Sequence, residues 1–244
     1  EEISAKIIVS NADPRRSFFD LVGAPNLGPT FVRRVRNIRY RGTTAKVNLA
    51  LNGLPAFKGI TEGESQISGH IIICPDLEYL ERAYDDAKYG RYSQQPYLDI
   101  VIPTVLDASL APAGKHILSI TMQYAPYKLR ESHWDDMREK LGEHIINTLV
   151  QYAPNLKELI LHRHVLTPLD YEREYALTEG GEFHGQMGLD QLLFMRPVAG
   201  FGQYRTPIEH LYLCGAGTHP GGGVTGAPGY NAAREILRDW KKLA

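Results

Sequence analysis

His210-Leu211-Tyr212-Leu213-Cys214, then Gly215-Ala216-Gly217-Thr218-His219-Pro220-Gly221-Gly222-Gly223-Val224-Thr225-Gly226, then Pro228 to Leu243, is the stretch whose reading decides the fold. The first five residues spell a short apolar strand. Six glycines fall within the next twelve residues. The last segment places Tyr230, Ala233, Ile236, Leu237 and Trp240 at helical spacing. Glycine admits positive φ and lets a ligand approach the backbone closely. The unpaired N–H groups of a helix start attract anionic oxygens. The unit therefore suits a phosphate, or a partly anionic carbonyl on a cofactor ring. It is not a P-loop, because no Lys-Ser or Lys-Thr pair follows the glycines. It is not the first dinucleotide fingerprint either, which needs a second βα unit and an acid about twenty residues on. The bland reading is a tight glycine-rich turn with no ligand.

Outward from that stretch, the chain alternates short strands and helices. Lys6 to Ser10 is a short apolar run ending in the turn-like Asn11-Ala12-Asp13-Pro14, which suits a buried, often parallel, strand. Thr44 to Leu51 alternates, with Ala45, Val47, Leu49 and Leu51 on one face. His70 to Ile73 is apolar, and Pro75-Asp76 marks a helix start continued by Leu77, Leu80, Tyr84 and Ala87. Leu98–Ile102 and Ile117–Tyr124 read as two strands, with antiparallel pairing the simplest arrangement. Trp134, Met137, Leu141, Ile145 and Leu149 make the clearest amphipathic helix, closed by Pro154. Leu159 to Val165 predicts another strand. Leu177 to Gln203, rich in scattered glycines, reads as a long functional loop with one helical turn.

Composition narrows the class. The chain has 244 residues, 43% of them hydrophobic and 23% charged, too apolar for a disordered chain. A formal net charge of −1 gives no general electrostatic reason to expect nucleic acid or an anionic membrane surface. No run of 18 apolar residues marks a membrane span, and Glu1 to Lys6 lacks the pattern of a signal peptide. Cys74 and Cys214 do not make a disulfide framework. They read as two buried thiols, and one bridge between them stays open.

His162 and His164 share a face of their strand, so a metal pair is conceivable, but no Cys, Asp or Glu in that strand completes a site. Glu172 and Glu174 meet the same answer, and no metal is expected. Arg33, Arg34, Arg36, Arg39 and Arg41, interleaved with Phe31, Val35, Ile38 and Tyr40, read as a solvated face or as a contact for an anionic partner or membrane headgroups.

Several segments together resemble the phytoene desaturase-like flavoproteins, a family of FAD-dependent oxidoreductases with amine oxidase-like relatives. They are LYLCGAGTHPGGGVTGAPGYNAA at Leu211–Ala233, VSNADPRR at Val9–Arg16, GTTAKVNLALNGLP at Gly42–Pro55, QPYLDIVIPTVLDASLAPAGKH at Gln95–His116, QYAPY at Gln123–Tyr127 and GGEFHGQMGLDQLLFMRP at Gly180–Pro197. The resemblance covers nearly the whole chain. Family members are about twice as long and open with a strand, a GxGxxG turn and a helix, then an acid for the ribose. Nothing here matches that opening, so the resemblance implies the C-terminal half of such a protein.

The implied fold class is mixed α/β and α+β. A substrate-binding domain with a mixed or antiparallel sheet and helices would span residues 14–205. A returning strand at 1–13 and a strand, glycine loop and helix at 206–244 would belong to an FAD-binding Rossmann-like domain whose N-terminal part is absent. The resemblance assigns Gly215, Ala216 and Gly217 to the ribityl and pyrophosphate and Val224, Thr225 and Gly226 to the flavin ring, and counts Thr218, Gly222 and Gly223 among the cofactor-binding residues. His184 and His219 become candidates for proton transfer. FAD and a small-molecule substrate are the implied ligands, with hydride passing from a C–C or C–N bond to flavin. The isolated chain would hold FAD weakly or not at all and be inactive. Apolar surface around Ile7–Val9 and Leu211–Cys214 would take the missing half or drive self-association. A bacterial cytoplasm is the implied compartment, with a mitochondrial matrix as the alternative. The rival reading is a non-catalytic interaction or regulatory protein on a flavoprotein scaffold.

Overall fold

The computed structural model describes residues 2–60 and 63–243. The chain forms two compact units, one made of residues 1–42 and 171–244 and the other of 43–170. The resemblance divides the chain by ligand role, at 13/14 and 205/206, whereas these units divide it by packing. In chain order the strands are β1 Ile8–Ser10, β2 Thr44–Leu51, β3 Ile71–Ile73, β4 Tyr97–Val101, β5 His116–Gln123, β6 Ile160–Leu166 and β7 Leu211–Leu213. The α-helices are α1 Pro29–Arg36, α2 Leu77–Lys88, α3 Trp134–Val150, α4 Leu156–Leu159, α5 Pro168–Tyr175 and α6 Ala227–Leu243. Parallel and antiparallel sheets are both present, the mixed α/β architecture expected.

The central unit is an antiparallel sheet in the order β3-β4-β5-β2-β6. The alternation in β2 is borne out: Ala45, Val47, Leu49 and Leu51 are all buried. β4 and β5 pair antiparallel, Tyr97 opposite Gln123 and Val101 opposite Ser119. Leu98, Ile100, Leu118, Ile120 and Met122 extend the same buried face. α3 supplies Trp134, Leu141, Ile145 and Leu149 to that core, as its spacing predicts. Gly142 faces the sheet too, where a Cβ would lie 2.6 Å from Val165 Cγ2, so only glycine allows the helix this close. α3 ends before Pro154 because the N–H groups of Tyr152 and Ala153 turn back to the Leu149 carbonyl at 2.9 and 2.8 Å.

α2 starts later than the Pro75-Asp76 pair predicts. Asp76 is its N-cap and accepts from the Tyr79 N–H at 2.7 Å, leaving Pro75 outside. Its predicted stripe is also displaced: Ala83 is buried, whereas Leu77 and Tyr84 are exposed.

In the other unit, β1 and β7 pair parallel, Ile8 opposite Leu211 and Ser10 opposite Leu213. Leu211, Tyr212 and Leu213 are buried by this unit's own residues, which corrects the expectation of an exposed Leu211–Cys214 surface. Ile8 and Val9 remain exposed, as expected. Sequence periodicity does not announce α1. It follows Gly28-Pro29 and buries Phe31 and Val35 beside Phe18, where the Phe18 and Phe31 rings meet edge-on at 4.7 Å.

The apolar stripe of α6 is turned outward. Tyr230, Leu237 and Trp240 are exposed, while Glu235 and Asp239 face Arg205 at 2.9 and 2.7 Å. The loop from Leu177 to Gln203 holds three short 3-10 turns instead of one, at Thr178–Gly180, Leu189–Gln191 and Leu193–Met195. Among the described residues no helix is long and apolar enough to cross a membrane.

Candidate functional site

The glycine-rich loop is built from β7 outward. The Cys214 N–H continues the parallel ladder to the Ser10 carbonyl at 3.0 Å. The chain then folds tightly: the Gly215 carbonyl accepts from the Thr218 N–H at 3.0 Å and the Thr218 hydroxyl at 2.9 Å. This turn interlocks with the one that follows β1. A Cβ at Gly215 would sit 2.5 Å from Asn11 Oδ1, and one at Gly217 2.6 Å from Pro14 Cδ. Further on, a Cβ at Gly221 would meet Met187 Cε at 2.7 Å and one at Gly222 would meet Phe183 Cδ1 at 2.4 Å. Gly215, Gly217 and Gly222 are therefore required by the protein's own packing, and Gly221 by its φ of +113°, since the flexible Met187 tip can move aside.

Gly223 and Gly226 differ. Both have positive φ, +109° and +71°, and neither has a neighbour inside 4.0 Å where a Cβ would point. Val224 between them is fully exposed at a left-handed φ of 57°. A β-branched residue in that conformation is a genuine outlier, and such strain gathers at functional sites. Gly226 leads directly into α6, and its carbonyl accepts from the Tyr230 N–H at 3.0 Å. The first-turn N–H groups of a seventeen-residue helix thus face the exposed end of the loop.

Two polar anchors hold this arrangement, and sequence reading singled out neither for such a role. Arg196 is buried and donates to four carbonyls: Ala216 at 2.8 Å, Gln191 at 3.2 Å, Gly185 at 3.1 Å, and Phe183. One guanidinium therefore ties the glycine loop to the 183–191 segment. Burial pulls its pKa below the ordinary arginine value. Asp13, also buried, accepts from the Arg15 and Arg16 N–H groups at 2.9 and 3.1 Å, and from the Thr178 N–H and hydroxyl at 3.2 and 2.7 Å. Beside it the Arg15 N–H donates to the Tyr40 hydroxyl at 3.0 Å. Burial, reinforced by the charge of Asp13, pushes the Tyr40 phenol far above its usual range. The Asp13-Pro14 turn was the visible signal for the second anchor. Nothing in the sequence marked Arg196.

His184 lies inside this cluster, at a left-handed φ of 54° with its N–H on the Gly181 carbonyl at 2.9 Å. Its Nδ1 is buried without a hydrogen-bond partner. Burial lowers its pKa, Asp13 opposes that, and Arg196 adds to the lowering. His219 Nδ1 is likewise buried and unpartnered, while the His219 carbonyl accepts from the Tyr204 hydroxyl at 2.8 Å. The two orphan nitrogens are buried, whereas Gly223 and Gly226 open outward where a Cβ would point. The remaining candidates fall elsewhere. His162 and His164 are exposed on β6, and among the described residues no group of three His, Cys, Asp or Glu is placed to hold a metal. Both cysteines are free, and burial raises the Cys214 thiol.

The chain is 39% identical over its whole length to pyridine nucleotide-disulfide oxidoreductase domain-containing protein 2 of Rattus norvegicus, covering 43% of that protein. It is 26% identical to a limonene dehydrogenase subunit of Castellaniella defragrans, over 97% of this chain and 45% of that one. It is 32% identical over 57% of its length to a 4,4'-diapophytoene desaturase of Staphylococcus haemolyticus, covering 28% of that protein. No family model matches. The crystal structure of an oxidoreductase from Methanosarcina mazei shares the fold, with a TM-score of 0.54 at 14% identity over 97% of this chain and 43% of that one. These relatives and the structural neighbour bear oxidoreductase and desaturase names. The chain is similar along its length to one part of these phytoene desaturase-like relatives. It spans less than half the length of the curated relatives it matches.

Proposed function

We propose that this chain supplies the ring-facing loop and the substrate-binding part of an FAD-dependent oxidoreductase that takes hydride from an apolar or amine substrate. The observation that carries this reading is the parallel β1–β7 pair feeding a strained, exposed glycine loop into the start of α6, in a chain similar to these relatives. Bound FAD would supply the hydride-accepting ring. The Gly215–Thr218 turn would lie beside the ribityl and pyrophosphate of a Rossmann-like FAD domain. Gly222 to Gly226 would meet the ring, where the partial positive charge of the α6 N-terminus favours negative charge on its oxygen edge. His184, with its lowered pKa, is neutral at neutral pH and suited to orient a ligand. His219 is the second candidate for contact. The antiparallel sheet would serve the substrate. The exposed face of Ile8, Val9 and the α6 stripe would be covered by a dinucleotide-binding polypeptide or by a second copy. Alone, the chain would bind FAD weakly and be inactive.

The test is an FAD titration of the purified chain, read by flavin fluorescence and absorbance, followed by anaerobic addition of limonene or 4,4'-diapophytoene. A weak, saturable signal that Gly226→Val removes, with no bleaching by substrate, is the expected result. A saturable signal that Gly226→Val leaves unchanged overturns the assignment of the loop and favours a non-catalytic scaffold.

A further inference from the structure

The sheet of residues 43–170 has a second face, which its apolar core does not use. There β2 presents Lys46, Asn48 and Ala50, and β5 presents Thr121, Ser119 and Ile117. The register sets Lys46 opposite Thr121 and Asn48 opposite Ser119. β2 runs between β5 and β6, so Lys46 stands inside the sheet and not at its edge. Directly opposed side chains of this kind lie about 5 Å apart at Cβ, close enough to serve one small group.

This face holds unspent hydrogen-bond donors. The Ser119 hydroxyl donates to Asn48 Oδ1 at 2.8 Å, which leaves the Asn48 amide N–H groups to donate elsewhere. Among the described residues, Lys46 Nζ, those amide N–H groups and the Thr121 hydroxyl have no partner. Asp99 lies opposite Thr121 on β4, and it is already engaged by His70 Nδ1 at 2.7 Å. Lys46 is half-buried, and a charge withdrawn from water without a counter-charge is costly. Along the strands the same face turns apolar. Asn48 gives way to Ala50, Ser119 to Ile117 and Asp99 to Val101, all in one direction.

We propose that this face binds the carboxylate end of an otherwise apolar substrate, with Lys46 as its counter-charge. The proposal rests on the reading that the antiparallel sheet serves the substrate, and it narrows that substrate to acids with a hydrocarbon body. Asn48 and Thr121 donate to the carboxylate oxygens beside Lys46, and the hydrocarbon runs over Ala50, Ile117 and Val101. One ammonium matches the single negative charge of a carboxylate. A phosphate monoester carries nearly two charges, and the second would go unpaired. A hydrocarbon without a polar end would cover the donors and leave them unsatisfied, and an amine would meet like charge.

The experiment is a calorimetric titration of the full chain with decanoate, beside decanol and decylamine as controls of equal chain length. Saturable binding of decanoate, tighter than that of either control, is expected. Lys46→Met should weaken it at least about tenfold, the worth of a hydrogen bond to a charged group. Thr121→Val should weaken it about fivefold, and Lys46→Glu should turn the preference toward decylamine. In the native chain, decanoate should shift the amide resonances of Lys46, Asn48, Ser119 and Thr121, which locates the site without any variant. No decanoate binding, equal binding of decanoate and decanol, or a decanoate affinity that Lys46→Met leaves unchanged overturns the inference. The flavin titration reads the glycine loop without decanoate, so the two readings fail separately. A chain that takes up FAD and ignores decanoate overturns this inference alone.

Discussion

The two compact units are held by different physics. Residues 43–170 rest on a broad apolar core, in which one sheet face and one helix face are buried by simple alternation and helical spacing. Residues 1–42 and 171–244 have a smaller apolar cluster around Phe18, Phe31, Val35 and Leu213. Their remaining order comes from buried polar groups, Arg196 and Asp13, and from glycines pressed against side chains. The first kind of order tolerates exchange of one apolar residue for another of similar volume. The second depends on individual atoms, and it is where the candidate site lies.

The largest expected effect tests the first half of that contrast. Ile120→Ala, at the centre of β5, should destabilise the unit of residues 43–170 by about 2–5 kcal/mol, measured by urea unfolding. If the units are separately cooperative, only one of two transitions moves. Arg196→Leu should cost about 3 kcal/mol in the other transition, because four carbonyls lose their donor at once. An effect well under 1 kcal/mol would show that this unit rests on its apolar cluster after all. Gly222→Ala should cost about 2 kcal/mol through collision with Phe183, and Phe183→Ala in the same chain should recover most of it.

The smallest effect is a pH dependence. The folded pKa of His184 lies below its ordinary value of about 6.5. Below that value the unfolded chain binds more protons than the folded one, so stability falls on acidification. Thermal unfolding between about pH 7 and pH 5 should show that loss in the native chain and less of it in His184→Asn. A native chain with no acid-dependent loss would remove the burial argument for a neutral His184.

This contrast also sets how much was legible beforehand. β2, β4, β5 and α3 announce themselves because a period of two or of about 3.6 is written in apolar residues. Of these only the end of α3 differs, where a tight turn on the Leu149 carbonyl stops it before Pro154. α6 was legible as a helix but not in its orientation. Arg205 draws Glu235 and Asp239 inward, and the apolar stripe is left on the outside. The glycine loop was legible as a place for a ligand, but glycine spelling alone does not separate Gly215, Gly217 and Gly222, which serve packing, from Gly223 and Gly226, which open outward. Arg196 and the left-handed residues Leu193 and Val224 carry no periodic signal, because their conformations are set by neighbours distant in sequence.

The pairing of β1 with β7 bears on how the chain is made. Ile8 is hydrogen-bonded through its N–H to His210 and lies beside Leu211, partners about 200 residues later in the sequence. On a ribosome, the whole of residues 43–170 is extruded and can fold before the partner of the first strand exists, since domains fold as units in order of synthesis. β1 therefore lacks its strand partner until Leu211–Leu213 has been made. Closing that long loop makes the site the final part of the molecule to form. A chain interrupted late in translation would carry a finished sheet and no cradle.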